Sequence, residues 1–139
     1  MAKAKVVDGY ARMWPRTIFE RSDFPDEHRK SALAREIAFL EGGGVYVLYR
    51  DDEPYYIGQA DRLVWRLWAH ARQTNDPYFH FWNFFSAFAI QSKTQRNEVE
   101  GILIASMPTV NGAKPRLVRE PIPKEVAKLL RAAYSSSSR

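Results

Sequence analysis

A chain of 139 residues, 45% hydrophobic and 14% aromatic, carries enough apolar side chain to bury one core and is too short to favour two. With no cysteine, disulfides and thiolate metal sites are excluded, and a metal would need oxygen ligands or one of three histidines, a donor set that suits a hard cation such as Mg²⁺. No run approaches the roughly 18 consecutive apolar residues of a membrane span, and the Met-Ala-Lys-Ala-Lys start has no apolar stretch behind it. Neither a membrane helix nor a secretory signal is therefore predicted, and a cytoplasmic protein is expected.

The net charge of +5 is unevenly placed. Residues 112 to 139 hold seven of the 21 Lys and Arg but two of the 16 Asp and Glu, so the whole excess is C-terminal. Such segregation fits either contact with a polyanion, most commonly nucleic acid, or a solvated tail that keeps the protein soluble.

In chain order, residues 1 to 25 read as irregular, punctuated by Pro15 and Pro25, with Tyr10, Trp14, Ile18 and Phe19 as anchors onto the core. From Asp26 to Glu41 acidic residues open a helical pattern, Leu33, Ile37 and Leu40 line one face, and Gly42-Gly43-Gly44 ends it. Two β-branched and aromatic runs follow, Gly44-Val45-Tyr46-Val47-Leu48-Tyr49 and Pro54-Tyr55-Tyr56-Ile57-Gly58, separated by the polar Arg50-Asp51-Asp52-Glu53. That pattern predicts a β-hairpin. Gly44 and Gly58 flank its tyrosines and let another backbone or a substrate come close.

Asp61 is a suitable N-cap for a helix over Arg62 to Gln73, whose Leu63, Val64, Leu67, Trp68 and Ala71 form an apolar face. Arg62, Arg66 and His70 recur at i, i+4 and i+8 of the same helix, a stripe directed away from the core that periodicity alone reads as a solvated face. Thr74-Asn75-Asp76-Pro77 breaks the helix, and Phe84 to Gln91 reads as a third strand beside the hairpin. Thr94 to Met107 is a second helix stopped by Pro108. Pro123 to Tyr134 is a last short helix, expected to face the body through Val126, Leu129 and Leu130.

Five of these features stand in an order that resembles the GIY-YIG nuclease family: Gly44-Val45-Tyr46, Tyr56-Ile57-Gly58, Arg66, a later glutamate, and Pro108 with Asn111. The resemblance covers about residues 42 to 112. It implies an α/β (α+β) fold in a single domain, a small three-stranded antiparallel sheet flanked by helices, with residues 1–41 as an N-terminal helical extension and 113–139 as a basic C-terminal one. It also implies roles. Arg66 becomes the transition-state stabiliser, because a guanidinium fork matches the non-bridging oxygens of a phosphodiester under attack. His70, one turn further, binds phosphate or orients the nucleophile. Tyr46 becomes the general base and Tyr56 positions the water or the scissile phosphate, although a phenol with a pKa near 10 needs help to take a proton at neutral pH.

In the family one carboxylate on the later helix holds a divalent cation. Glu100 is followed by Leu103 and Ile104 and then by Pro108 and Asn111, whereas Glu98 has Gly101 and Ile102 at the matching positions. Glu100 is therefore the expected ligand, with Glu98 left open because Pro108 comes one position early for a common spacing. Gly58, Arg62 and Asn111 are expected at the substrate-binding side, Asn111 by capping local backbone rather than by chemistry. The implied activity is endonucleolytic hydrolysis of DNA with Mg²⁺ or Mn²⁺. A nucleic-acid-binding or scaffold module that kept the fold and lost catalysis is the rival class, and no proposed catalytic position is missing from the chain.

Overall fold

The computed structural model describes residues 5–20, 37–111 and 117–137. Its centre is one antiparallel sheet built from β1 (Gly9–Pro15), β2 (Gly44–Arg50), β3 (Glu53–Ala60) and β4 (Phe84–Ala89), in the order β1-β4-β2-β3. Among the described residues three helices accompany it: α1 (Leu63–Arg72), α2 (Lys93–Ser106) and α3 (Lys124–Ser137).

β2 lies in the middle of the sheet, and its successive residues Val45, Tyr46, Val47 and Leu48 are all buried. Burial on both faces is why this strand reads as a continuous apolar run rather than an alternation. Tyr46 and Leu48 face α1 and join Leu63, Val64, Leu67, Ala71, Phe85 and Ala87. Val45 and Val47 face the other way and join Ile57 and Ile90 under Val99, Leu103 and Ile104 of α2 and Met107 just beyond its end. The sheet is thus covered by one helix on each side, which places α1 and α2 on opposite faces of the same hairpin.

The hairpin forms as expected, with Tyr46 paired to Gly58 and Arg50 to Glu53 across a two-residue turn. Asp51 takes a positive φ of 58°, a conformation that Asp tolerates better than most residues. Asn83 braces this turn, accepting from the Asp51 N–H (2.7 Å) and donating to the Asp51 carboxylate (3.0 Å).

Four expectations are corrected. Among the described residues the sheet has four strands rather than three, because Gly9–Pro15, read as irregular, pairs with β4. Its register shifts between Ala11 and Trp14, and Met13 has φ 54° while its N–H reaches the Ser86 hydroxyl at 3.1 Å. A bulge of that kind breaks the two-residue period by which a strand is recognised. Tyr10 is 66% exposed and so is no core anchor, whereas Phe19 is fully buried and Trp14 packs on the core. Asp61 does not cap α1. Its carboxylate accepts from the buried Arg96 at 2.8 Å, and the first helical N–H, that of Leu63, goes to the Gly42 carbonyl at 2.9 Å. Finally, Val126, Leu129 and Leu130 of α3 are exposed, so that helix does not face the body.

Most of the helix expected over Asp26 to Glu41 lies outside the described residues. Its last part, Ala38–Glu41, is a single 3₁₀ turn, and Ile37 and Leu40 are core residues. The segment 79–85 divides its aromatic rings, with Trp82 and Phe85 buried and Phe81 exposed.

Candidate functional site

Three elements bring Tyr46, Tyr56 and His70 together. Tyr46 (β2) and Tyr56 (β3) have ring centroids 6.2 Å apart, and the His70 imidazole (α1) lies 5.5 Å from the first and 6.1 Å from the second. The Tyr46 hydroxyl and His70 Nε2 are hydrogen-bonded at 2.7 Å in a buried position.

Gly58 makes that arrangement possible. A Cβ placed on Gly58 would stand 2.4 Å from the Tyr46 hydroxyl oxygen and 2.5 Å from Cζ of the same ring. The space expected to admit a substrate at Gly58 is therefore filled by the tyrosine across the hairpin. Gly44 is equally constrained, since its Cβ would meet the Phe88 carbonyl oxygen at 2.0 Å. The two glycines of the paired tripeptides are thus packing requirements of β2.

Burial, and then the neighbouring Tyr56, push the Tyr46 phenol well above its ordinary range, while Arg66 pulls the other way. Tyr56 is also raised, first by burial and then by Tyr78, whose ring stacks on it at 4.1 Å with an interplanar angle of 22°. For His70 burial outweighs the adjacent carboxylate of Asp76, so its pKa is lowered and the imidazole is neutral at neutral pH. The Nδ1 to Asp76 contact, 2.8 Å, is consequently a hydrogen bond between a neutral ring and a carboxylate rather than an ion pair.

His70 corrects the helical stripe read from periodicity. Arg62 and Arg66 are exposed, but His70 is 4% exposed, because α1 ends against the loop that carries Asp76 and Tyr78, and its ring nitrogens find partners in that loop (Nδ1 on Asp76) and on β2 (Nε2 on Tyr46). Arg62 pairs with Glu41 at 2.9 Å and lies 5.6 Å from the Trp65 ring. With Arg66, Trp65, Ala60, Asp61 and Ala69 it lines an open depression of about 310 Å³.

Glu100 comes from α2 on the opposite face of the sheet and approaches the site across β3, where Gln59 Nε2 donates to it at 3.2 Å and to Asn97 at 2.6 Å. Both tyrosines feel its charge as well as that of Arg66. Glu98, by contrast, is exposed, next to the outward-facing side of α2 where Ile102 is 56% exposed. Asn111 uses its carboxamide on backbone, accepting from the Ile57 N–H at 3.0 Å and donating to the Ile57 carbonyl at 2.7 Å. It closes the outer edge of β3, together with Val110 N–H on the Tyr55 carbonyl at 2.9 Å. The expected backbone cap is therefore present, and its polar atoms face the strand, not a ligand.

Two neighbours carry too little sequence signal to single them out. Asp76 reads there only as part of a helix-breaking Asn-Asp-Pro turn, and Tyr78 as one of several aromatics. The faint sign is an acidic residue six positions after His70, just beyond the helix end.

Among the described residues no group of three or more His, Asp or Glu side chains converges on a metal position, and no helix is long and apolar enough to cross a membrane. A lone carboxylate beside carboxamides is nonetheless a fitting donor set for Mg²⁺, which keeps most of its water and takes one or two carboxylates with substrate phosphate.

No family model and no curated protein matches the chain. Among solved structures it is similar to a point mutant of the GIY-YIG N-terminal endonuclease domain of UvrC from Thermotoga maritima, bound to its catalytic divalent cation, with 22% identity, 65% of this chain and 100% of that chain covered, and a TM-score of 0.44. The magnesium-bound form of the same domain gives 23% identity, 55% and 91% coverage, and a TM-score of 0.42. The paired tripeptides of this chain resemble those of the GIY-YIG nuclease family, and the solved structures to which the chain is similar are GIY-YIG endonuclease domains.

Proposed function

We propose that this protein is a metal-dependent endonuclease that hydrolyses phosphodiester bonds in DNA. The observation that carries the proposal is the buried Tyr46 to His70 hydrogen bond of 2.7 Å, flanked by Arg66 from one helix and Glu100 from another. A phenol held far above its ordinary pKa is no base by itself. It can take a proton from water only while passing its own to the neutral imidazole, and His70 Nε2 stands where that proton would go. Tyr46 and His70 then act together as the general base, and Tyr56 orients the attacking water or the scissile phosphate.

Arg66 presents its guanidinium to the non-bridging oxygens as they gain charge, at the mouth of the depression where solvent and substrate meet. Glu100 would hold Mg²⁺ or Mn²⁺, which when bound supplies Lewis-acid stabilisation of the phosphoryl and leaving oxygens. Arg62 binds the flanking backbone phosphate. Gly58 and Asn111 serve by shaping β2 and β3 rather than by touching substrate.

Incubation of purified protein with supercoiled plasmid tests the reading. Nicked circles with Mg²⁺ or Mn²⁺ and none with a chelator are expected. Plasmid retained in a gel shift but never cut, at any metal concentration, overturns the enzyme and leaves a binding module.

A further inference from the structure

We infer that Asp76 is a positioning residue of this site, setting the proton arrangement of His70 so that Nε2 is the acceptor for the Tyr46 hydroxyl. The inference rests on the nuclease reading for its effect on rate, but not for its effect on the imidazole.

A neutral imidazole has one N–H and one bare nitrogen, and which is which depends on its partners. A carboxylate only accepts. Asp76 Oδ2, 2.8 Å from His70 Nδ1, therefore holds the ring proton on Nδ1 and leaves Nε2 bare. The atom 2.7 Å from Nε2 is the Tyr46 hydroxyl, which must then donate. One directed chain results, from the phenol through the imidazole to the carboxylate. The lowered pKa of His70 agrees with it, since a neutral ring is what the chain requires.

Asp76 is itself fixed. Its Oδ1 accepts the Tyr78 N–H at 2.9 Å, its own N–H reaches the Gln73 carbonyl at 3.0 Å, and its side chain is 12% exposed. The loop around it is tied down by Arg16, which donates to the Ala71 and Trp82 carbonyls at 3.0 Å each and to the Phe79 carbonyl, and lies against the Phe79 and Trp82 rings. The two oxygens of one carboxylate thus act separately, since Oδ2 orients the histidine while Oδ1 shapes the turn that lays Tyr78 on Tyr56. Asp76 touches no reacting atom in this scheme and acts through His70.

The test is Asp76→Asn in the full chain. Asparagine keeps an oxygen for the Tyr78 N–H but offers an NH₂ donor to Nδ1, so the ring proton should move to Nε2 and confront the Tyr46 hydroxyl with a donor. Selective ¹⁵N labelling of histidine, with His70→Gln to identify its signals, reads the tautomer directly in protein without nucleic acid. The Nδ1–H form is expected in the unaltered chain and the Nε2–H form in Asp76→Asn, with unchanged circular dichroism. Plasmid nicking should fall with KM unchanged, by about tenfold to a hundredfold in kcat if Asp76 matters to His70 as much as an outer carboxylate matters to a metal-ligating histidine. An Nε2–H imidazole in the unaltered chain overturns the inference without any variant. So does an Nδ1–H imidazole that persists in Asp76→Asn, or full kcat after the tautomer has switched. If the tautomer switches but neither protein cuts DNA, the orienting role of Asp76 stands and the nuclease reading falls.

Discussion

Gly58 shows how one missing methyl group organises the site. Because its Cβ would stand 2.4 Å from the Tyr46 hydroxyl, Gly58→Ala must either tilt the phenol away from His70 or part the hairpin. Overpacking of this kind costs about 1–3 kcal/mol, so a lower Tm is expected together with weakened nicking; an alanine variant with unaltered Tm and activity would show that the ring has room to move. Arg66 is the opposite case. Its side chain is exposed at the depression, so Arg66→Ala should leave Tm unchanged while reducing nicking by about 10²- to 10³-fold, the typical loss on removing a preorganised charge-stabilising donor. Wild-type cleavage by that variant would remove Arg66 from the site. Tyr46, Tyr56 and Arg66 can be singled out as candidates from the paired tripeptides and their spacing, but the burial of His70 cannot be read that way. Helical periodicity places a residue on a face, and it does not reveal that a later loop will cover that face with Asp76 and Tyr78.

At the scale of elements, what a pattern can reveal depends on whether the backbone keeps its period. The hairpin is legible from its β-branched and aromatic runs, β4 from a short aromatic run bounded by polar residues, and α2 from its stop at Pro108, whereas its start lies one residue earlier than expected, behind Ser92, which accepts the Gln95 N–H at 3.3 Å. β1 is not legible, since a bulge at Arg12 and Met13 shifts its register. The start of α1 also escapes the usual rule: Asp61 is an ordinary capping residue drawn into a tertiary contact, where Arg96 reaches it while donating to the Ile90 and Gln91 carbonyls at 2.6 and 2.9 Å. α2 carries the prediction that separates its two acidic candidates. Leu103, Ile104 and Met107 pack on the sheet, and Glu100 shares their side of the helix at the i−3, i−4 and i−7 positions. Glu98 is exposed on the far side. Titrating Mg²⁺ into a nicking assay should therefore show that Glu100→Gln loses metal-stimulated cleavage and that Glu98→Gln retains most of it. The reverse ranking would move the ligand to Glu98 and leave Glu100 as a partner of Gln59 alone.

Across the whole molecule, charge and packing separate the C-terminal part from the rest. The excess of Lys and Arg lies within residues 112 to 139, and the large apolar residues described there are outside the core, with Val118 87%, Ile122 63% and Leu129 71% exposed. Removing residues 113 to 139 therefore takes away positive charge without opening either apolar cluster, and a chain ending at Gly112 is expected to keep its Tm and to lose from its circular dichroism only the helical signal of α3. Its contribution to DNA binding should show in the salt dependence. Each phosphate contact by Lys or Arg releases counterions, and its loss lowers the slope of log affinity against log salt by about 0.9 for duplex DNA. The shortened chain should bind more weakly with a shallower slope, yet still nick plasmid at high enzyme concentration, because Tyr46, His70, Arg66 and Glu100 all precede the cut. A shortened chain that binds with unchanged affinity and slope would assign the basic segment to solubility, and one that binds normally but no longer nicks would place part of the chemistry in the tail.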